Sequence, residues 1–336
     1  MKNLVILLLF FSQTLFGQIT YIPDSNFEQK LINLGYDNII DGMVLNSNIN
    51  TVDTLIISGS YIQSLEGVEG FYQLSYLDCS SNLLDSIDVS SNNLKYFNCS
   101  DNQLDEVDVS NSTSLLSFKC NFNNLSTIDI SANTSLLYFE CTENQLTSLD
   151  VSNNVSLNEL RCSYNQLTSL DLGGLDVYVL ACDNNQITHI DNLSDNVSIK
   201  HLSCSINNLT SLSLSSNTDL NWLSCYDNDL TSLDISNQLV LNYFFCRDNP
   251  NLYCINVNDV AYANATWQVW NGQTGSIDSH HYFSTNCNPS FVNDFSNTSK
   301  LTQIYDINGR EINKRLNSPM VYYYENGTVK QILILE

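Results

Sequence analysis

"LDCSSNLLDSIDVSSN", residues 77–92, sets a cysteine, an asparagine three residues on and four aliphatics at fixed offsets. The cysteine returns at Cys79, Cys99, Cys120, Cys141, Cys162, Cys182, Cys204, Cys225 and Cys246, at intervals of 20, 21, 21, 21, 20, 22, 21 and 21 residues. Each is followed by the asparagine: Asn82, Asn102, Asn123, Asn144, Asn165, Asn185, Asn207, Asn228 and Asn249. An aliphatic residue or Phe stands two before the cysteine, and through the first eight repeats aliphatics stand five and eight after it, as Leu84 and Ile87 do. A fixed period near 21 predicts a solenoid, in which each unit buries its apolar face only against its neighbours. "LIISGSYIQSLEG" fits the same frame with Ile57 in the cysteine slot, so a degenerate coil precedes the nine.

The frame LxxLxCxxNxL resembles the leucine-rich repeat over residues 52–250, and the recurring "NQLTSLDVS" form resembles secreted leucine-rich repeat proteins of the Bacteroidetes. The resemblance implies a solenoid with a parallel β-sheet on its concave face. The residues agree: the LxC segment alternates inward and outward as a strand must, and a buried Asn can bond backbone groups freed at each turn. Each cysteine takes an inward position that leucine usually fills and acts as a compact hydrophobe. Strands ~4.8 Å apart hold successive Cβ atoms beyond the ~3.8 Å a disulfide requires, so nine buried free thiols are expected. Metal binding by these cysteines would call for CxxC pairs, which are absent.

The flanks carry different signals. Lys2, the apolar run "LVILLLFF" and Gly17 in "LFGQ" read as a signal peptide over residues 1–17, with an uncleaved anchor as the alternative because Leu15 is large for its place before the cut. Residues 18–51 form an N-terminal cap. Within it Ser25 and Glu28 match a capping box, Phe27, Leu31 and Ile32 share a helical face, and Gly35 suits the helix exit. After residue 250 the period is lost. Cys254 and Cys287 are the two cysteines outside the ladder, and in an exported chain they most simply pair, stapling a C-terminal cap over residues 251–288.

A polar linker, residues 289–299, leads to a tail at 300–336 whose alternation and Asn-Gly turns predict β-structure. The tail resembles the type A sorting domain of the type IX secretion system. Asp306, Gly309 and Arg310 match its DxxGR element, and Tyr324, Gly327 and Thr328 lie in its second element; only the C-terminal half of such a domain is covered. The resemblance implies export through that machinery to the medium or the outer cell surface.

Twelve basic against 36 acidic residues give a net charge of −24, which repels nucleic acid and anionic membranes. No run after the leader approaches the ~20 apolar residues of a membrane span. HExxH, GxSxG, P-loop, GxGxxG, EF-hand and paired-cysteine zinc patterns are all absent, so no catalytic residue is assigned. The adjacent His280 and His281 are able to ligate a metal, but with no second cluster apparent in the sequence they read as part of a solvated cap loop. Three functions stand in order: a monomeric binding protein or adhesin for a protein, peptide or glycan; a structural spacer; and an enzyme with an acidic site assembled across coils.

Two outward columns bear on that choice. Nine residues after the cysteines come Asp88, Asp108, Asp129, Asp150, Asp171, Asp191, Ser213 and Asp234, whose like charges must be offset by Asx-type turns or by Ca²⁺. On the concave face, three residues before the cysteines, stand Tyr76, Tyr96, Ser117, Tyr138, Glu159, Val179, His201, Trp222 and Tyr243, and the column one before them includes Lys119 and Arg161. Such a varied, aromatic-rich face is what recognition surfaces use. Tyr76, Tyr96, Lys119, Tyr138, Arg161, Trp222 and Tyr243 are therefore the expected ligand-binding residues. Aromatic stacking along a parallel sheet is the competing explanation.

Overall fold

A computed structural model describes residues 19–269, 271–272, 274–287, 301–306, 319–324 and 329–333. The chain divides into two compact units, Met1–Thr285 and Asn286–Glu336. The first is a leucine-rich repeat solenoid. Its ten-stranded parallel sheet takes one short strand from each coil, from β3 (Thr54–Ile56), β4 (Tyr76–Asp78), β5 (Tyr96–Asn98) and β6 (Ser117–Lys119) through β7 (Tyr138–Glu140) and β8 (Glu159–Arg161). It continues with β10 (Val179–Ala181), β12 (His201–Ser203), β13 (Trp222–Ser224) and β15 (Tyr243–Phe245), while β1 (Ile19–Tyr21) pairs antiparallel with β2 (Met43–Leu45) and β9 (Leu170–Asp171) pairs parallel with β11 (Ile190–Asp191) outside this sheet. The strand β3 and the buried Ile57 confirm the degenerate first coil.

All nine ladder cysteines are fully buried and free. Beside them the strand-centre residues stack, with Phe97, Phe118 and Phe139 at successive ring separations of 5.5 and 5.6 Å. The thiols reach across the coils: Cys99 donates to the carbonyl of Lys119 at 3.6 Å, and Cys120 to that of Glu140 at 3.6 Å.

The chain leaves each strand through a corner that only the asparagine makes tolerable. The residue before it is left-handed in every coil, from Ser81 (φ 55°) to Asp248 (φ 56°), and none of the nine is glycine. That conformation costs ~1–2 kcal/mol for an L-residue. Asn144 shows the compensation: its amide donates to the carbonyls of Cys120 (3.0 Å) and Cys141 (3.2 Å), while its Oδ1 accepts the Leu125 amide (3.0 Å) of the preceding coil. Asn123, Asn165, Asn207 and Asn228 repeat the pattern.

A second, less regular ladder lies deeper in the coil. Asn133 donates to the carbonyls of Val109 (3.0 Å) and Ser112 (2.8 Å), Asn154 to Ile130 and Asn133, and Asn217 to Leu193 and Asn196.

Both ends are closed. The N-terminal helix spans Ser25–Leu34, buries Phe27 and Leu31 and exits through Gly35 at φ 83°, as expected. The capping box is not what starts it. Asp24, not Ser25, is the N-cap and accepts from the amides of Asn26 and Phe27, while its second oxygen takes the amides of Gln63 (2.7 Å) and Ser64 (3.0 Å) in the first coil. Glu28 is buried and turned away, accepting from the amides of Asp41, Gly42 and Met43. At the far end β14 (Leu233–Asp234), β16 (Cys254–Asn256) and β17 (Tyr282–Ser284) form a parallel sheet beside a short helix, Val260–Thr266, and Trp267 packs on Phe244 at 5.1 Å. Cys254 and Cys287 are joined by the expected disulfide.

In the second unit β18 (Leu301–Asp306), β19 (Pro319–Tyr324) and β20 (Val329–Leu333) form an antiparallel sheet in that order. Asp306 and Tyr324 end strands there; Gly309, Arg310, Gly327 and Thr328 lie outside the described residues.

Replacing a mid-ladder asparagine should be costly. Asn144→Ala strands the Leu125 amide and removes a donor from two carbonyls, so chemical denaturation should show a loss of about 3 kcal/mol or more.

Candidate functional site

Each concave strand buries its middle residue, and most leave the flanking two outward and accessible, as β6 and β8 do; in β10 and β13 the third residue, Ala181 or Ser224, is buried as well. Parallel pairing then aligns like positions across coils: Tyr76 opposes Tyr96, and His201 opposes Trp222, which opposes Tyr243. Of the residues expected to bind ligand, the structure brings two groups together. Tyr76 and Tyr96 pack at 5.6 Å between ring centroids. Trp222 lies against Tyr243 at 4.9 Å, stacks on His201 at 5.1 Å and touches Phe245 at 5.5 Å. Tyr243 remains 52% exposed and Tyr138 43% exposed.

The two basic residues between these groups are engaged. Lys119 Nζ is 3.0 Å from Glu140 on the next strand, and Arg161 pairs with Glu159 on its own strand. Beside them Asp183 accepts from the Ser203 hydroxyl (2.7 Å) and the Ser205 amide (2.9 Å). Burial lowers the pKa of His201, and the nearby Arg161 lowers it further. The ring is therefore neutral at physiological pH and stacks as an aromatic.

His201 and Phe245 were not among the expected site residues, nor were Tyr226 and Arg247, whose guanidinium lies 4.7 Å from the Tyr226 ring centroid. The signal was available. His201 stands in the same column as Trp222, while Tyr226 and Arg247 stand one residue after their cysteines, on the same outward side.

The cysteine column offers no chemistry. Burial pushes the thiols of Cys99 and Cys162 up, Cys162 to about 12, so they stay protonated and enclosed.

The aspartate column adopts the Asx turns. Oδ1 of Asp88, Asp108, Asp129 and Asp150 accepts the amide two residues on at 2.8–2.9 Å, and Asp171 and Asp234 do the same. The hydroxyl and amide of Ser90 and Ser131 hold Asp88 and Asp129 below the usual carboxylate range; for Asp108 and Asp150 the amide and hydroxyl of Ser110 and Ser152 do so. Asp191 departs from the pattern and faces His189 at 3.4 Å.

Among the described residues, one group of three His, Cys, Asp or Glu side chains converges within 4.8 Å: Asp278, His280 and His281. The solvated loop expected for the histidine pair is not found. His281 is buried with its side chain enclosed, because the cap folds that segment onto the last coil.

No protein-family profile and no curated protein matches the sequence. Solved structures do. The functional domain of InlJ from Listeria monocytogenes, described as including a cysteine ladder, is 22% identical over 95% of this chain and 99% of its own, with a TM-score of 0.55. The leucine-rich repeat domain of APL1 is 21% identical over 64% of each chain at a TM-score of 0.56, and that of APL1B 20% identical over 63% of this chain and 70% of its own at 0.54. At these identities the likeness is one of fold, and the fold is that of leucine-rich repeat solenoids.

The turn-capping role of the aspartates is directly testable. Asp108→Asn keeps an acceptor but not the charge and should lower the melting midpoint less than Asp108→Ala, and added calcium should shift neither variant nor the parent. Because the folded pKa lies below the unfolded one, this stabilisation is complete above the unfolded value of ~3.9 and is lost as pH falls through the folded value.

Proposed function

We propose that the chain is a non-catalytic binding protein, working outside the cell, that holds a protein or peptide ligand on its concave sheet. The observation that carries this reading is the pair of aromatic groups, Tyr76 with Tyr96 and Trp222 with Tyr243, His201 and Phe245, set on rigid strands and left partly exposed. Such rings supply contact area at little entropic loss. Six strand steps separate β5 from β13, roughly 30 Å at ~4.8 Å each. A ligand touching both groups is thus macromolecular, which favours protein over a short glycan. Tyr138 and the paired Lys119 and Arg161 lie between and would set register and charge preference.

The solved relatives of this fold support a recognition role, and no helix among the described residues is long and apolar enough to cross a membrane. Export is read from the leader at residues 1–17 and the tail at residues 300–336.

Screening the mature chain against extracellular proteins and glycans would identify the ligand class. Trp222→Ala and Tyr243→Ala should each weaken binding by about 30-fold, near 2 kcal/mol, with the melting midpoint moving only a few degrees. Undiminished affinity in the double variant would leave the sheet as scaffold and favour the spacer role. Export has its own readout. Deleting residues 300–336 should retain the protein inside the outer membrane, and normal release of the truncated chain would remove the sorting assignment.

A further inference from the structure

The C-terminal cap brings two imidazoles, a carboxylate and a backbone carbonyl to one point. Nε2 of His280 and Nε2 of His281 each stand 3.3 Å from the carbonyl oxygen of Asn249, the last rung of the asparagine ladder. Oδ2 of Asp278 is 3.8 Å from His281 Nε2, and the ligand atoms of the three side chains lie within 4.8 Å of one another. Ligands at ~2.0–2.1 Å around a tetrahedral zinc ion are separated by about 3.4 Å. The observed spacings are close to that.

Hydrogen bonding alone accounts poorly for the arrangement. The Asn249 oxygen already accepts the Leu252 amide at 3.1 Å, so two imidazole N–H groups would make three donors for two lone pairs. His281 carries its proton on Nε2, so if His280 presents its lone pair there, two electron-rich atoms face each other beside a buried ring, an arrangement that a bound cation would relieve. We propose that Asp278, His280, His281 and the Asn249 carbonyl form a site for Zn²⁺ or a similar divalent transition metal, which pins the cap to the last coil. Two imidazole nitrogens suit such an ion better than calcium, which prefers an all-oxygen shell.

Part of the outer shell that a metal site uses is in place: the carboxylate is held, while the second nitrogen of His281 faces a donor and must exchange it for an acceptor when metal binds. The Asp248 amide donates to Asp278 Oδ2 at 2.6 Å and fixes the carboxylate. Nδ1 of His281 accepts the Asp278 amide at 3.2 Å and lies 4.0 Å from the Cys246 sulfur. Without metal, therefore, that ring carries its proton on Nε2. Coordination through Nε2 transfers the proton to Nδ1, where the Cys246 sulfur becomes its neighbour and the Asp278 amide must turn aside.

The test uses the full chain with its disulfide intact, stripped by a strong chelator and titrated with Zn²⁺ alone. One Zn²⁺ per chain should bind, and at a hundredfold excess over Kd the melting midpoint should rise by roughly 5 °C. His280→Ala and Asp278→Asn should each weaken binding at least about tenfold and remove most of that rise, with metal-free midpoints close to the parent's. Co²⁺ on the unaltered chain should give the visible d–d bands of a four-coordinate nitrogen and oxygen site. Zinc bound equally well by both variants, no zinc bound at all, or sulfur-to-metal charge-transfer bands in the cobalt form would each overturn the assignment.

Discussion

The corner at the end of each concave strand is the constraint on which the rest of the molecule depends. A coil of about 21 residues must leave its strand sharply enough to return one strand spacing away, and it does so through a left-handed residue that has a side chain. Nothing local favours that conformation. The asparagine that follows ties its own coil to the one before through two carbonyls and an amide, so the strain is offset only when a neighbour is present. Corner and stack are thus coupled, and a lone coil would have neither.

That coupling separates inside from outside. Positions that face the core hold a narrow set of residues, because a stacked column repeats nearly the same space in every coil: cysteine in nine coils and Ile57 in the first, with Leu or Phe at the strand centres. The outward positions meet only the equivalent position on the next strand and can vary. The left-handed corner itself points its side chain to solvent, which is how Phe122 and Tyr164 come to be half exposed just beyond the strands. A rigid interior and a freely varied face are the properties a recognition platform requires.

What could be read in the sequence follows this division. The cysteine and asparagine columns, the extra first coil and the disulfide were legible because they depend on period or on its loss. The second ladder was not. Its positions read Asn92, Ser112, Asn133, Asn154, Leu175, Asn196, Asn217 and Gln238, and the mixture conceals a task that six of them share, bonding carbonyls of preceding coils; Leu175 has no donor, and the Asn196 amide bonds Asn192 in its own coil. At the N-terminus Ser25 and Glu28 have capping-box spacing, yet Asp24 is the residue that can cap the helix and reach the first coil at once. The burial of His281 depends on how the cap packs, which no spacing encodes. On the concave face the column of aromatics was visible, but the engagement of Lys119 by Glu140 required the register of neighbouring strands, whereas Arg161 and Glu159 pair within one strand.

The ends of such a stack decide how firmly the face between them is held. An inner coil shares its core with two neighbours and an outer coil with one, so fraying begins where the stack stops. At the N-terminus Asp24 serves two elements with one carboxylate, and Phe27 lies on Phe71 to close the core. At the other end Trp267 covers Phe244, whose strand neighbours Tyr243 and Phe245 belong to the larger aromatic group. The C-terminal cap thus buttresses, from behind, the same strand that displays the exposed rings. Loosening it would disturb β15 first and the Tyr76–Tyr96 pair at the opposite end last.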